Sequence, residues 1–172
     1  MATTITKSIV INAPREDVWR VLADFGGVQN YNPGVARSRC TSSKKEGVGA
    51  TRHCTFVARG SVEERIIEWQ EGESYKVEIY QGEGVPPFEY AYGYLSAEPE
   101  GDGTTARATM TIEYRLKMGL IGTLMDRLMV RSKFSKTIDH ILAGLKHHVE
   151  TGQIVASPGD VKLPLEAVMS NG

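Results

Sequence analysis

Between Gly119 and Gly152 runs the one long stretch of this chain, GLIGTLMDRLMVRSKFSKTIDHILAGLKHHVETG, in which apolar residues recur at helical spacing with no proline to interrupt them. Leu120, Leu124, Leu128, Phe134, Ile138, Ile141 with Leu142, Leu145 and Val149 fall three, four or six residues apart. That is a single stripe along one face of a long helix, and such a stripe has to be buried against another layer. The residues before it read as a sheet that needs a cover of this kind.

The sheet is legible in its punctuation. Thr4 to Ile11 is rich in β-branched residues and reads as a strand, closed by Asn12-Ala13-Pro14 with the proline at a first helical position. A short helix follows, with Glu16 and Asp17 in its first turn, where the helix dipole favours carboxylates, and Val18, Val21, Leu22 and Phe25 on its buried face. Gly26-Gly27 stops it, and Val28 to Tyr31 adds one more turn before Asn32-Pro33-Gly34 forces a loop. Short β-rich runs then follow near Val35 to Thr41, Ala50 to Ala58, Ser61 to Trp69, Tyr75 to Gln81, Phe88 to Ala97 and Thr104 to Leu116. Arg59-Gly60 reads as a two-residue hairpin turn and Glu100 to Gly103 as a longer one. Gly82 to Pro87 reads as a loop able to gate whatever lies beneath it.

Two strands carry most of the information about faces. In the last, Ala106, Ala108, Met110, Ile112, Tyr114 and Leu116 alternate with polar residues, so one face is buried and the other wet. In the strand before it, Phe88, Tyr90, Tyr92 and Tyr94 alternate with Glu89, Ala91, Gly93 and Leu95. A one-residue slip decides which row joins the buried face. The favoured register turns the tyrosines inward, the alternative turns them out.

With 172 residues, 41% hydrophobic, the chain has enough apolar material for one sizeable core and too little length for two. Residues 1–152 form the expected domain and 153–172, with two prolines and little periodicity, a tail. Lysine and arginine number 20 against 21 acidic residues, which leaves no basic excess for nucleic acid or for an anionic membrane surface. The start, MATTITKSIVINAP, has neither the charge nor the apolar run of a signal peptide, and no stretch is long enough to span a bilayer, so the expectation is a cytoplasmic protein. Cys40 and Cys54 are expected to be reduced, and no metal-ligand spacing accompanies them.

One strand, two short helices, six further antiparallel strands and a long C-terminal helix is the element order of a helix-grip α+β fold. In detail, IVINAPREDVWRVLADF, the Asn32-Pro33-Gly34 turn, VGATRHCTF, GSVEERIIEW and GLIGTLMDRL leading to GLKHHVETG resemble the polyketide cyclase/dehydrase branch of the START-related (SRPBCC), birch-pollen-allergen-like superfamily. The resemblance runs from about Thr4 to Gly152. It implies a curved sheet of about seven strands gripping the helix over an internal hydrophobic cavity that holds lipids, quinones, hormones or aromatic polyketides. It does not assign a reaction, because the superfamily shares the cavity and not the chemistry. One departure is Tyr31-Asn32-Pro33, where the family often has a tryptophan before the proline.

Candidate site residues follow from the faces. Arg131 falls near the middle of the helical stripe, where an unpaired guanidinium is costly, so it either anchors an anionic group of a ligand or forms a structural ion pair. Glu64 shares a strand face with Val62 and Ile66, a desolvated position for a general acid or base, unless it pairs with Arg131 or Arg52 or is turned out by a bulge at Ile66-Ile67. With Arg59-Gly60 as a tight hairpin, His53 comes opposite Ile66 and onto the face of Glu64, the alternative being a histidine hydrogen-bonded within the sheet. Tyr90, Tyr92, Tyr94 and Tyr114, with Met110 and Phe134, complete the expected ligand lining. His140, His147 and His148 read as surface residues. No cofactor or metal is called for.

Three functions are ranked from this. First is binding or transport of a hydrophobic small molecule. Second is a cofactor-independent cyclase or dehydratase with Glu64 or His53 as base. Third is an interaction module using the apolar part of Gly119 to Met129 against a partner protein or a membrane surface. A homodimer is compatible with all three.

Overall fold

A computed structural model of the chain describes residues 2–117, 124 and 129–161. Among these, seven strands form one antiparallel sheet: β1 (Thr3–Ile11), β2 (Val35–Cys40), β3 (Thr51–Phe56), β4 (Ser61–Gln70), β5 (Ser74–Glu83), β6 (Phe88–Glu100) and β7 (Thr105–Leu116). Their order across the sheet is β1-β7-β6-β5-β4-β3-β2. Strands β2 to β7 are therefore a meander of hairpins, and β1 closes it by pairing with β7 from Thr3 opposite Tyr114 to Ile11 opposite Ala106. Each expected strand is present, with ends displaced by three residues at most.

Between β1 and β2 lie helix α1 (Arg15–Ala23) and a 3-10 helix (Phe25–Asn30). Pro14 occupies the N-cap of α1, and Gly26-Gly27 falls inside the 3-10 helix rather than ending the first one. Helix α2 (Arg131–Thr151) lies across the sheet and ends at Gly152, whose φ of 73° is the left-handed conformation glycine adopts at helix C-termini. Lys7 Nζ on β1 donates to Asp139 Oδ2 at 2.5 Å, and Lys146 Nζ donates to the Val10 carbonyl at 2.7 Å, tying α2 to the edge strand. The result is the expected helix-grip α+β architecture.

The expected helix from Gly119 lies partly outside the described residues. Met129 and Val130 form a π-helical turn ahead of α2. The buried stripe then runs through Val130, Ile138, Ile141, Leu142 and Leu145, with Phe134 packed against it.

The inner sheet face carries Ala106, Ala108, Met110, Ile112 and Tyr114 of β7, all buried as the alternation requires. Bulges curve the sheet around α2. One, between Phe88 and Tyr90, changes which face the following residues of β6 present. Two more sit between Glu63 and Glu64 and between Ile66 and Glu68 on the β4–β5 pair.

The first residues after Gly152 stay on the body: the Val155 side chain is buried and its N–H donates to the Asn30 carbonyl at 2.9 Å. No helix among the described residues is long and apolar enough to cross a membrane.

Candidate functional site

A cavity of about 130 Å³ lies between the inner face of the sheet and α2. Its apolar wall comes from Val62 on β4, Val77 and Ile79 on β5, Ala91 and Leu95 on β6, and Met110 and Ile112 on β7. Phe134, Thr137 and Ile141 of α2 form the lid, and Val28, Tyr31 and Asn32 close the side next to the 3-10 helix. The alternation of strand side chains produces this lining directly, since each of these sheet residues is separated from its neighbour by one that points outward.

Polar groups converge on the cavity at Arg52, Cys54, Glu64, Tyr31 and Tyr75. Arg52 lies opposite Glu64 across the β3–β4 pair. Its Nε donates to Glu64 Oε2 at 2.5 Å, with the two side chains only 6% and 12% exposed. Nη1 donates to the Phe25 carbonyl at 2.8 Å, and the guanidinium carbon sits 4.1 Å from the centroid of the Phe25 ring. Burial works against the charge of Arg52 and is the largest single influence on it, but Glu64 together with Cys54, Tyr75 and Tyr31 outweighs it and keeps the guanidinium protonated.

Cys54 Sγ lies 3.7 Å from Glu64 Oε2 and 3.6 Å from Ser38 Oγ. Burial, reinforced by Glu64, pushes its thiol up to about 11. Cys40 and Cys54 are both free.

Burial also raises Tyr31 well above the ordinary phenol value and raises Tyr75, although Arg52 pulls the latter back. The Tyr75 ring is held by Trp69, stacked at 5.9 Å, and by Phe25 edge-on at 6.1 Å. Its hydroxyl has no hydrogen-bond partner among the described residues. The Tyr31 hydroxyl and the Arg52 guanidinium approach its oxygen from the donor side, short of a hydrogen bond of normal geometry, and leave its own O–H without an acceptor among the described residues.

Several expected site residues stand elsewhere. Tyr90, Tyr92 and Tyr94 face outward, because β6 pairs them with Arg115, Glu113 and Thr111 while Ala91, Gly93 and Leu95 meet Tyr114, Ile112 and Met110. The bulge after Phe88 is the cause: it leaves Phe88 against Tyr114 and Phe134 on the inner side and turns the tyrosines out. On the outer face Tyr90 stacks on Tyr92 at 5.4 Å, with Lys76 Nζ 5.0 Å from the Tyr92 ring centroid. Tyr92 nonetheless counts among the residues that border the cavity.

His53 is also on the outer face. The β3–β4 register pairs Thr55 with Ser61, three residues away from the tight-hairpin expectation, and an odd shift reverses the face. Its Nδ1 lies 2.5 Å from Glu63 Oε1.

Arg131 is exposed at the start of α2 and does not border the cavity. The π turn gives the buried place to Val130, four residues before Phe134, and leaves Arg131 a helical step away from it. Glu64 does line the cavity, and of its possible partners it has Arg52. Met110 and Phe134 line it as well. Tyr114 is buried on the inner face, 5.0 Å from Phe134 by ring centroids, and stands behind the lining rather than in it.

Tyr31, Tyr75 and Cys54 were not among the sequence candidates. The signal for two of them is alternation: Arg52, Cys54 and Phe56 share a face of β3, and Tyr75, Val77 and Ile79 share a face of β5. Tyr31 has no periodic signal, being placed by the turn that follows it.

Residues 2–150 match the family described as polyketide cyclase / dehydrase and lipid transport. The chain belongs to this family. Solved structures agree on the fold. An aromatase/cyclase, ZhuI, from Streptomyces sp. R1128 superposes with a TM-score of 0.73 at 16% identity over 87% of this chain and 94% of its own. A protein from Thermus thermophilus, TTHA0849, gives 0.71 at 22% identity over 87% and 99%, and a START superfamily protein from Mycobacterium smegmatis 0.69 at 15% over 87% and 99%. A comparison with curated protein sequences finds no match. Hydrophobic ligand binding is typical of the family, whose description covers both cyclase or dehydrase activity and lipid transport.

Proposed function

We propose that this protein binds a small, mainly hydrophobic molecule in the cavity between the sheet and α2. The observation that carries the reading is the cavity itself: an apolar wall from four strands, with its polar groups gathered around the Arg52–Glu64 pair. Binding sites for small molecules have this composition, a largely apolar surface with few polar groups that fix orientation. At about 130 Å³ the space is close to the ~150 Å³ that admits benzene in an engineered core. A single-ring fragment therefore enters with the walls as they stand, and a larger ligand has to move side chains.

Native mass spectrometry of the purified protein, followed by extraction of what travels with it, tests this reading. A stoichiometric apolar molecule that is lost in Ala91→Leu, where an isopropyl group is added inside the cavity, is the expected result. An unchanged ligand load in that variant, with the fold intact by circular dichroism, overturns it.

Catalysis is the second reading, favoured by the placement of Glu64 beside Arg52 in the same apolar space. In a cyclisation or dehydration Glu64 takes a proton from the carbon next to a ligand carbonyl, and Arg52 stabilises the oxygen that becomes negative. Glu64→Gln separates the two readings, since a carrier keeps its affinity and a catalyst of this kind loses turnover on poly-ketone substrates.

A further inference from the structure

We infer that the cavity selects an uncharged ligand carrying a hydrogen-bond-accepting oxygen, and that the Tyr75 hydroxyl is the donor that reads it. The inference rests on the binding reading above and names the ligand class of that site. Two independent observations carry it.

The first is the Tyr75 hydroxyl. Tyr75 borders the cavity, is 1% exposed, and its hydroxyl lacks a hydrogen-bond partner among the described residues. A buried hydroxyl without a partner is costly, and the cost is recovered when a ligand oxygen accepts from it. The ring cannot swing away to find water, because Trp69, Phe25 and, at 6.4 Å, Trp19 surround it. The donor is thus presented in a fixed direction before any ligand arrives, which lowers the ordering cost of binding.

The second is the charge balance. Among the described residues, the one guanidinium on the cavity wall is already compensated by the one carboxylate there, at 2.5 Å and in a nearly water-free position. An anionic ligand has to compete with Glu64 for Arg52, and whichever carboxylate loses is left buried and unpaired. A cation faces the same difficulty with the roles reversed. A neutral carbonyl or phenol oxygen leaves the pair intact and satisfies Tyr75.

Three ring-sized probes of nearly equal shape test this: acetophenone with a carbonyl, α-methylstyrene with a methylene in its place, and benzoate with a carboxylate. Affinities are read by calorimetry or ligand-observed NMR on the wild-type chain and on Tyr75→Phe. The expected wild-type order is acetophenone about tenfold tighter than α-methylstyrene, as one buried hydrogen bond provides, with benzoate weakest. Tyr75→Phe abolishes the difference between the first two by weakening acetophenone alone. Equal wild-type affinities for those two, or benzoate as the tightest, overturn the inference while α-methylstyrene binding still upholds the cavity as a site. An unchanged preference in Tyr75→Phe overturns the role of Tyr75. Binding of none of the three overturns the cavity reading and this inference together. The wild-type order is decisive even if the variant does not fold.

Discussion

Arg52 Nε and Glu64 Oε2 face each other at 2.5 Å on the inner side of adjacent strands, and both side chains are almost fully removed from water. The pair places opposite charges where the rest of the wall is apolar, and each is tolerable only because the other is present. Cys54 and the Phe25 carbonyl complete the surroundings of this pair.

Removing one partner is therefore expected to cost more than removing both. Arg52→Met and Glu64→Leu should each lower unfolding free energy by about 3–5 kcal/mol, as breaking a buried pair does. The double variant should be less destabilised than the worse single variant, giving a strongly non-additive cycle. Urea unfolding of the four proteins measures it, and simple additivity would show that the pair is not coupled.

Alkaline pH should weaken the fold. Cys54 is held at about 11 against an ordinary value of 9.0, and Tyr31 and Tyr75 are raised as well. Above pH 9 the unfolded chain has lost the thiol proton that the folded chain retains, so it binds fewer protons and stability falls as pH rises. The Cys54 contribution is fully present below pH 9 and lost as pH rises through 11, and it amounts to about 3 kcal/mol. Unfolding curves from pH 8 to 11 check the slope, and Cys54→Ala should flatten part of it.

At Gly144, α2 comes close to the main chain of the segment that carries Tyr31. A Cβ at this position would lie 2.0 Å from the Tyr31 carbonyl oxygen. In an isolated helix Gly→Ala is favourable by about 1 kcal/mol; here the clash with main chain should reverse the sign, leaving Gly144→Ala destabilised by about 1–3 kcal/mol. Thermal melts give the sign directly. Because Tyr31 borders the cavity, probe affinity should change in the same variant.

Arg131→Ala and His53→Ala should leave ligand affinity unchanged, since neither side chain borders the cavity. Arg131 is exposed, so its replacement should move stability by less than about 0.5 kcal/mol. A tenfold loss of affinity in either variant would mean that the ligand contacts the protein outside the cavity described. The interaction reading depended on Gly119 to Met129, where Leu124 and Met129 are 59% and 56% exposed and all other positions lie outside the described residues.

Reading the chain from its pattern worked best where only one face can be buried. On β7 every second residue is apolar and the others are charged or hydroxylated, so burial follows without reference to any neighbour. On β6 both rows are acceptable inside, tyrosines on one and small residues on the other, and the bulge after Phe88 chose between them. His53 and Arg52 are adjacent, and the length of the β3–β4 connection alone decided which of the two meets Glu64 across the inner face.

The order of elements, the amphipathic C-terminal helix and the inward row of β7 were determined by the sequence, because periodicity acts locally and each residue carries its own preference for water or core. The identity of the polar groups in the cavity was decided only in the tertiary structure. Strand register depends on hydrogen bonds to the neighbouring strand, a one-residue difference exchanges the two faces, and the phase of α2 depends on the π turn at Met129-Val130. Arg52 replaced Arg131, and Tyr31 and Tyr75 replaced Tyr90, Tyr92 and Tyr94, for this reason and not through any change in the kind of site the pattern implied.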